Sequence, residues 1–284
     1  VAQDDAVIAI LLALGTALGY GVANYLAPVL GRRMPLAAVL LGSQVAGLVV
    51  SVLLTLGSDL TMDAAGLAFA VAAGASNAGA LACLYRAAQT GNLSVISPVA
   101  ASGAAVPVLV GLVSGDRPGP WQLAGIPLVL VGIVLAARRP PVGPTGPGGA
   151  RGIGWALGAA ALFGTFLTTY AGAAADSSSG ALVWSRVALV LTTGVGILLL
   201  RAPVRVAPRD GALVLVPGLL LALGTFAFGE ATRIGLLSVV SVIATLNPVV
   251  TVVLAFVLLR ERPAAVQRIG AALALTGIVL LAAG

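Results

Sequence analysis

Two stretches of this chain, 85–137 and 228–282, are imperfect copies of each other, about 145 residues apart. Leu93-Ser94-Val95-Ile96-Ser97 answers Leu237-Ser238-Val239-Val240-Ser241 at an offset of 144. Gln122, Gly125, Gly132 and Ile133 answer Gln267, Gly270, Gly277 and Ile278 at an offset of 145. Between these blocks lie matching short loops, Asp116-Arg117-Pro118 and Glu261-Arg262-Pro263. A duplication inside one apolar chain implies two structural halves of one kind, an organisation typical of membrane transporters.

Composition decides the solvent. Of 284 residues, 60% are hydrophobic and 8% charged, and the mean hydropathy is +1.12. A soluble domain carries about 25% charged residues, so this chain cannot clothe a water-facing surface. Apolar runs fall at roughly 6–26, 35–56, 64–84, 93–114, 121–137, 152–171, 180–200, 211–229, 236–259 and 264–283. Most can cross about 30 Å of hydrocarbon as helices. Helix is required because lipid offers no partner to an open backbone group. The runs are too long and too uniform for the alternating strands of a barrel. The first run is read as a span, because no basic segment precedes it and no clear cleavage site follows.

The longest linker is 138–151, opening Arg138-Arg139-Pro140-Pro141 and rich in Gly and Pro, which cannot sustain a helix. It divides the chain into a first half, 1–137, and a second half, 152–284. Five spans per half means that the second half enters the membrane from the opposite side. The expected fold is an all-α polytopic membrane protein with ten transmembrane helices arranged as two inverted five-helix repeats.

Charge tests that count. One set of loops holds Arg32-Arg33, Arg86, Arg138, Arg139 and Arg151, Arg201, Arg205 and Arg209, and Arg260 with Arg262. The alternate set holds Asp4-Asp5, Asp59 with Asp63, Asp116 with Arg117, Asp176, and Glu230 with Arg233. The alternation fits ten spans and places the arginine-rich loops in the cytoplasm with both termini outside. The net charge of +6 therefore serves membrane orientation, and no nucleic-acid partner is expected.

These motifs carry a resemblance. Asn92-Leu-Ser-Val-Ile-Ser-Pro98, Gly115-Asp116-Arg117-Pro118 and Gln122-x-x-Gly125 in the first half, and Leu236-Leu-Ser-Val-Val-Ser241, Asn247-Pro248, Arg260-Glu261-Arg262-Pro263 and Gln267-x-x-Gly270 in the second, are similar to the drug/metabolite transporter superfamily. In particular they resemble its ten-helix members with two EamA domains. The resemblance implies alternating access around a central cavity and a small-solute cargo, with substrates that vary widely among members. It implies that Glu261, and Asp116 by position, are the acidic residues typical of the loop after the fourth helix of a repeat. It also implies that Arg186 corresponds to an arginine common in the second helix of a repeat; the first half has no equivalent near Gln44. Many members keep both termini in the cytoplasm, opposite to the charge pattern here.

Polar residues inside the apolar runs are the candidate substrate-binding set: Asn24, Tyr25, Gln44, Asn77, Tyr85, Ser94, Ser97, Thr165, Thr169, Trp184, Arg186, Ser238, Ser241 and Asn247. Asn77 and Asn247 carry most weight, because a primary amide in hydrocarbon needs partners. Ser94 with Ser97, and Ser238 with Ser241, are three apart and share a helix face. Serine hydroxyls also bond to their own helix, a purely structural use. Trp184 and Tyr170 fit interface anchors equally well. Arg186 suits a substrate carboxylate or phosphate, or alternatively snorkels to the interface. Glu230 is the candidate for proton coupling or exchange, against a plain salt bridge with Arg233. Pro98, Pro107 and Pro248 interrupt the fourth and ninth spans, and Glu261 clamps its loop, as structural or gating elements.

Catalysis and cofactors are not expected. The chain has no histidine and a single cysteine, Cys83, so neither an internal disulfide nor a thiolate metal cluster can form. Every basic residue is arginine, so no Walker lysine exists and ATP-driven pumping is excluded. The leading expectation is a secondary transporter, not an enzyme, in the inner (cytoplasmic) membrane. It moves a small metabolite or toxic solute, such as an amino acid or related compound, and works as a monomer or weak homo-dimer among membrane lipids. A flippase for lipid-linked substrates and a non-transporting interaction protein are the alternatives.

Overall fold

In the absence of water, backbone groups must bond within their own segment, and the apolar runs fold accordingly. The computed structural model describes residues 2–31, 34–90, 96, 99–138, 149–201, 204, 212–259 and 264–283, with no strand among them. The first half gives α1 (Ala2–Gly31), α2 (Leu36–Leu54), α3 (Ala64–Thr90), α4 (Ala105–Ser114) and α5 (Pro120–Ala136). The second gives α6 (Gly149–Asp176), α7 (Ser178–Leu200), α8 (Leu215–Ile234), α9 (Leu237–Ala244), α10 (Asn247–Leu259) and α11 (Ala265–Ala283). Among the described residues seven helices are long and apolar enough to cross a membrane, and Val99–Ser114, Pro120–Ala136 and Leu237–Thr251 are shorter apolar helices. The protein is an all-helical polytopic membrane protein.

The expected segment limits need adjustment. α1, α3 and α6 run to Gly31, Thr90 and Asp176, each about five residues past the expected end. The prolines begin new helices. A 3₁₀ turn at Ser102–Ala104 precedes α4, and Pro107 lies in the first turn of α4. The ninth apolar run breaks at Thr245-Leu246, and Pro248 lies in the first turn of α10. A first-turn proline loses no helical hydrogen bond, so the chain bends one turn earlier and resumes. Pro98 and Glu261 lie outside the described residues.

Duplicated residues do duplicated work at the helix starts. Gln122 Oε1 accepts the Gly119 N–H at 3.0 Å, and Gln267 Oε1 accepts the Ala264 N–H, also at 3.0 Å. Both glutamines cap the helices they open, which accounts for their place in the repeat. Asp116 acts across the halves: its Oδ2 accepts the Ser238 N–H at 2.8 Å, at the start of α9. Gly115, at φ +110°, closes α4 in a left-handed conformation that turns Asp116 toward α9.

Packing follows one rule for both halves. α1 packs on α8 as α6 packs on α3, and α2 packs on α8 as α7 packs on α3. α10 meets α1 as α4 meets α6. Two pairs join corresponding elements: α5 with α11, and α2 with α7. In the α5–α11 pair, a Cβ on Gly125 would lie 2.8 Å from the Gly277 carbonyl oxygen, and one on Gly132 would lie 2.7 Å from that of Gly270. The two helices run antiparallel, with bare backbones touching. Without a hydrophobic force between helices in lipid, such close approach supplies the dispersion that holds them.

Candidate functional site

The α2–α7 seam is built by glycines on the neighbouring helices. A Cβ on Gly218 of α8 would meet the Ser43 carbonyl oxygen at 2.6 Å and Ala46 Cβ at 2.7 Å. A Cβ on Gly74 of α3 would meet Ala188 Cβ and the Leu189 N, both at 2.7 Å. Gly74 thus does for Ser185, Ala188 and Leu189 what Gly218 does for Ser43, Ala46 and Gly47. In that correspondence Gln44 is the counterpart of Arg186. The sequence carries the signal as Ser43-Gln44-Val45-Ala46 against Ser185-Arg186-Val187-Ala188. The first half therefore does have an equivalent to Arg186, a neutral one.

The two counterparts touch. Arg186 Nη1 donates to Gln44 Oε1 at 2.9 Å. Its Nη2 donates to the Leu221 carbonyl at 2.5 Å and to Thr225 Oγ1 at 2.6 Å. Thr225 gives its own hydrogen to the Leu221 carbonyl at 2.6 Å, so its oxygen accepts from both Arg186 and the Tyr20 hydroxyl, which lies 3.0 Å away. Arg186, Gln44 and Thr225 retain only 3%, 4% and 3% of their exposure. Tyr170 is fully buried, and its hydroxyl has no hydrogen-bond partner among the described residues. Its ring packs against Phe166 and Phe228 at centroid distances of 6.0 and 6.2 Å.

Among the described residues no carboxylate pairs with Arg186. Burying a cation costs several kcal/mol unless it is paired, and three neutral acceptors offset only part of that. The cluster holds a cation among neutral acceptors inside an apolar bundle.

The other candidates are scattered. Ser238 and Ser241 are fully buried on α9, with hydroxyls that have no partner among the described residues. Thr165 and Thr169 donate to the carbonyls of Ala161 and Thr165, at 2.9 and 2.7 Å, within their own helix. Asn24 is exposed, while Tyr25, Asn77, Tyr85 and Asn247 are half-buried. Trp184 is exposed and donates to the Leu60 carbonyl at 3.3 Å. Glu230 pairs with Arg233 at 3.4 Å, and Arg233 also donates to Ser178 Oγ at 3.3 Å. Ser94 and Ser97 lie outside the described residues. Arg186 and Gln44 are the pair from the sequence set that the fold brings together. Tyr20 and Thr225 are the additions, and glycines mark them, Gly19 and Gly21 flanking the first and Gly224 preceding the second. Tyr170, read as an anchor or a cavity residue, is interior.

A cavity of about 360 Å³ lies elsewhere, lined by Ala9, Gln122, Arg233, Gly235, Leu236 and Val240 among others. It sits at the end of α8, eight residues past Thr225, roughly 12 Å along the helix. It does not reach Arg186, which is closed over by packing.

A profile of the EamA-like transporter family matches residues 150–283. The chain carries an EamA-like transporter domain. A solved structure titled "Crystal structure of protein" superposes with a TM-score of 0.80 at 17% identity, covering 96% of this chain and 95% of that one. At that identity the likeness speaks to the fold, which extends over both halves. No curated protein matches the chain by sequence. An EamA domain is that of membrane transporters of the drug/metabolite type, which implies a small-molecule solute and a lipid surrounding. Family members are transporters, not enzymes.

Proposed function

We propose that the protein is a secondary carrier that moves a small metabolite or toxic solute across the cytoplasmic membrane by alternating access. Its working parts are two inverted five-helix repeats, 1–137 and 152–284, making ten spans. The interchangeable packing partners and the antiparallel α5–α11 pair support that arrangement. The observation that carries the function is Arg186: a buried cation, without a carboxylate partner among the described residues, where corresponding helices of the halves meet. An ionisable residue inside a membrane bundle marks a functional site. The cavity beside Arg233 is the vestibule, and rocking of the halves about the α5–α11 seam connects it to Arg186. Glu230, paired with the Arg233 that lines this cavity, is the group for proton coupling. The arginine-rich loops face the cytoplasm, and the carrier works as a monomer or weak homo-dimer.

The test is counterflow in proteoliposomes loaded with a mixed metabolite library and read by mass spectrometry. Specific exchange of a soluble compound, lost in Arg186→Ala, is the expected result. Absence of any exchange by folded, reconstituted protein defeats the proposal.

A further inference from the structure

Arg186 has five N–H donors, and three are spent on Gln44, Leu221 and Thr225. Two have no acceptor among the described residues. The Tyr170 hydroxyl, buried in the same bundle, is also without a partner among the described residues. Unspent donors gathered inside an apolar bundle are matched by an acceptor from outside the protein. We infer that Arg186 is the carboxylate subsite of this carrier, that the cargo is a small monocarboxylate, and that Gln44 holds its place when the site is empty. This rests on the carrier reading above.

The chemistry fixes the class. A guanidinium presents a planar fork that a carboxylate meets with two parallel hydrogen bonds. The Gln44 carboxamide offers one oxygen to that fork, at 2.9 Å, and is neutral. A charge-assisted bond is roughly twice as strong as a neutral one, so a carboxylate displaces the amide. Among the described residues Arg186 is the single cation of the cluster, so one negative charge balances it and a phosphate dianion leaves charge over. The same cluster has no acid to receive an ammonium, which disfavours zwitterionic amino acids. Gln44 is also the counterpart of Arg186 in the other half, so cargo enters where the two halves differ in charge.

Two variants separate this from a structural role. Gln44→Glu is nearly isosteric and places a permanent carboxylate on the guanidinium; Arg186→Gln removes the cation. Purified protein is titrated with lactate, benzoate, alanine, inorganic phosphate and a neutral polyol, reading the thermal midpoint. Lactate or benzoate raises the midpoint of the parent saturably, and alanine, phosphate and the polyol do not. Either variant weakens that response by about 10- to 100-fold. Gln44→Glu, with its internal ion pair, stays folded and melts no lower than the parent. If Gln44→Glu binds the monocarboxylates within about twofold of the parent, or if none of them binds the parent, the inference is overturned.

Counterflow of the same panel distinguishes this from failure of the carrier reading. Exchange of the polyol or of alanine without carboxylate binding overturns the subsite and leaves a carrier. Carboxylate binding that needs Arg186, without exchange of any solute, keeps the subsite and overturns the carrier.

Discussion

Two seams join corresponding helices of the two halves, and they differ in chemistry. At α5–α11 the contacts are glycine on glycine: Gly125 meets Gly277, and Gly132 meets Gly270. Either half supplies the same surface, and no polar side chain is needed. At α2–α7 the backbones are positioned by the same device, Gly74 and Gly218, but the side chains that meet are Arg186 and Gln44. One seam keeps the symmetry of the duplication in its chemistry, and the other breaks it by a single charge. In the proposed carrier the symmetric, side-chain-free contact serves as a bearing. A contact made asymmetric by a buried cation costs stability, which fits the binding role proposed for Arg186.

The strongest way to break the comparison is to load the bearing. A side chain at position 132 has nowhere to go, since its Cβ would already lie 2.5 Å from the Ala274 N and 2.7 Å from the Gly270 carbonyl oxygen. Gly132→Leu should cost about 3 kcal/mol or more and leave little monodisperse protein in size-exclusion chromatography. Gly154→Leu is the matched control, because nothing lies within 4 Å of its Cβ position. It should elute and melt like the parent. Equal damage from both would mean that glycine matters here through the helix itself and not through the seam.

Next is the charge. Arg186→Gln should lower transport about 10- to 100-fold. Adding Gln44→Arg to it moves the cation across the seam to its counterpart position. If the two positions are equivalent, the double variant should recover at least tenfold over Arg186→Gln in counterflow. Recovery will be incomplete, because Thr225, Leu221 and Tyr20 are arranged around the second-half position. A double variant no better than the single one would show that position 44 cannot stand in for position 186.

The bearing was legible in the sequence and the charged seam only half so, for a physical reason. Gln122, Gly125 and Gly132 recur as Gln267, Gly270 and Gly277 because capping and backbone contact admit few residue types. Arg186 and Gln44 were each visible as polar residues in apolar runs, but their correspondence was hidden. Their offset is 142, against 144 and 145 elsewhere, and side chains at a binding position need not resemble each other. Tyr20 and Thr225 were passed over because a lone phenol or hydroxyl in a span is ordinary. Only the fold shows that Thr225 accepts two hydrogen bonds at once. Asn77 and Asn247, the amides that carry most weight in the sequence, are only half-buried, and neither is among the hydrogen-bond partners of Arg186.

A smaller effect belongs to the tie between the halves. Asp116 accepts the Ser238 N–H at 2.8 Å and so caps α9 from the other half. Asp116→Ala should lower stability by about 1 kcal/mol, the usual value of a lost cap. Asp116→Asn, which keeps an acceptor, should lose less. Thermal melts of the two variants rank them, and an Asn variant as weak as the Ala variant would assign the tie to charge and not to the hydrogen bond.

The smallest effect lies on the loop before α3, away from both seams. Asp59 accepts the Thr61 N–H at 2.9 Å and the Thr61 hydroxyl at 2.8 Å. The backbone bond chiefly, and the hydroxyl next, hold its carboxyl below the usual carboxylate range. The folded state thus prefers the ionised form. The stabilisation is present above the unfolded pKa of about 3.9 and is lost as pH falls through the lower folded value. Asp59 is fully exposed, so water screens the interaction and the loss is slight. Asp59→Asn should flatten the acid limb of the melting-temperature profile below about pH 4 and leave the neutral limb and counterflow unchanged. Altered transport in this variant would tie the loop to the moving parts and take away the distinction between a working interior and a passive rim.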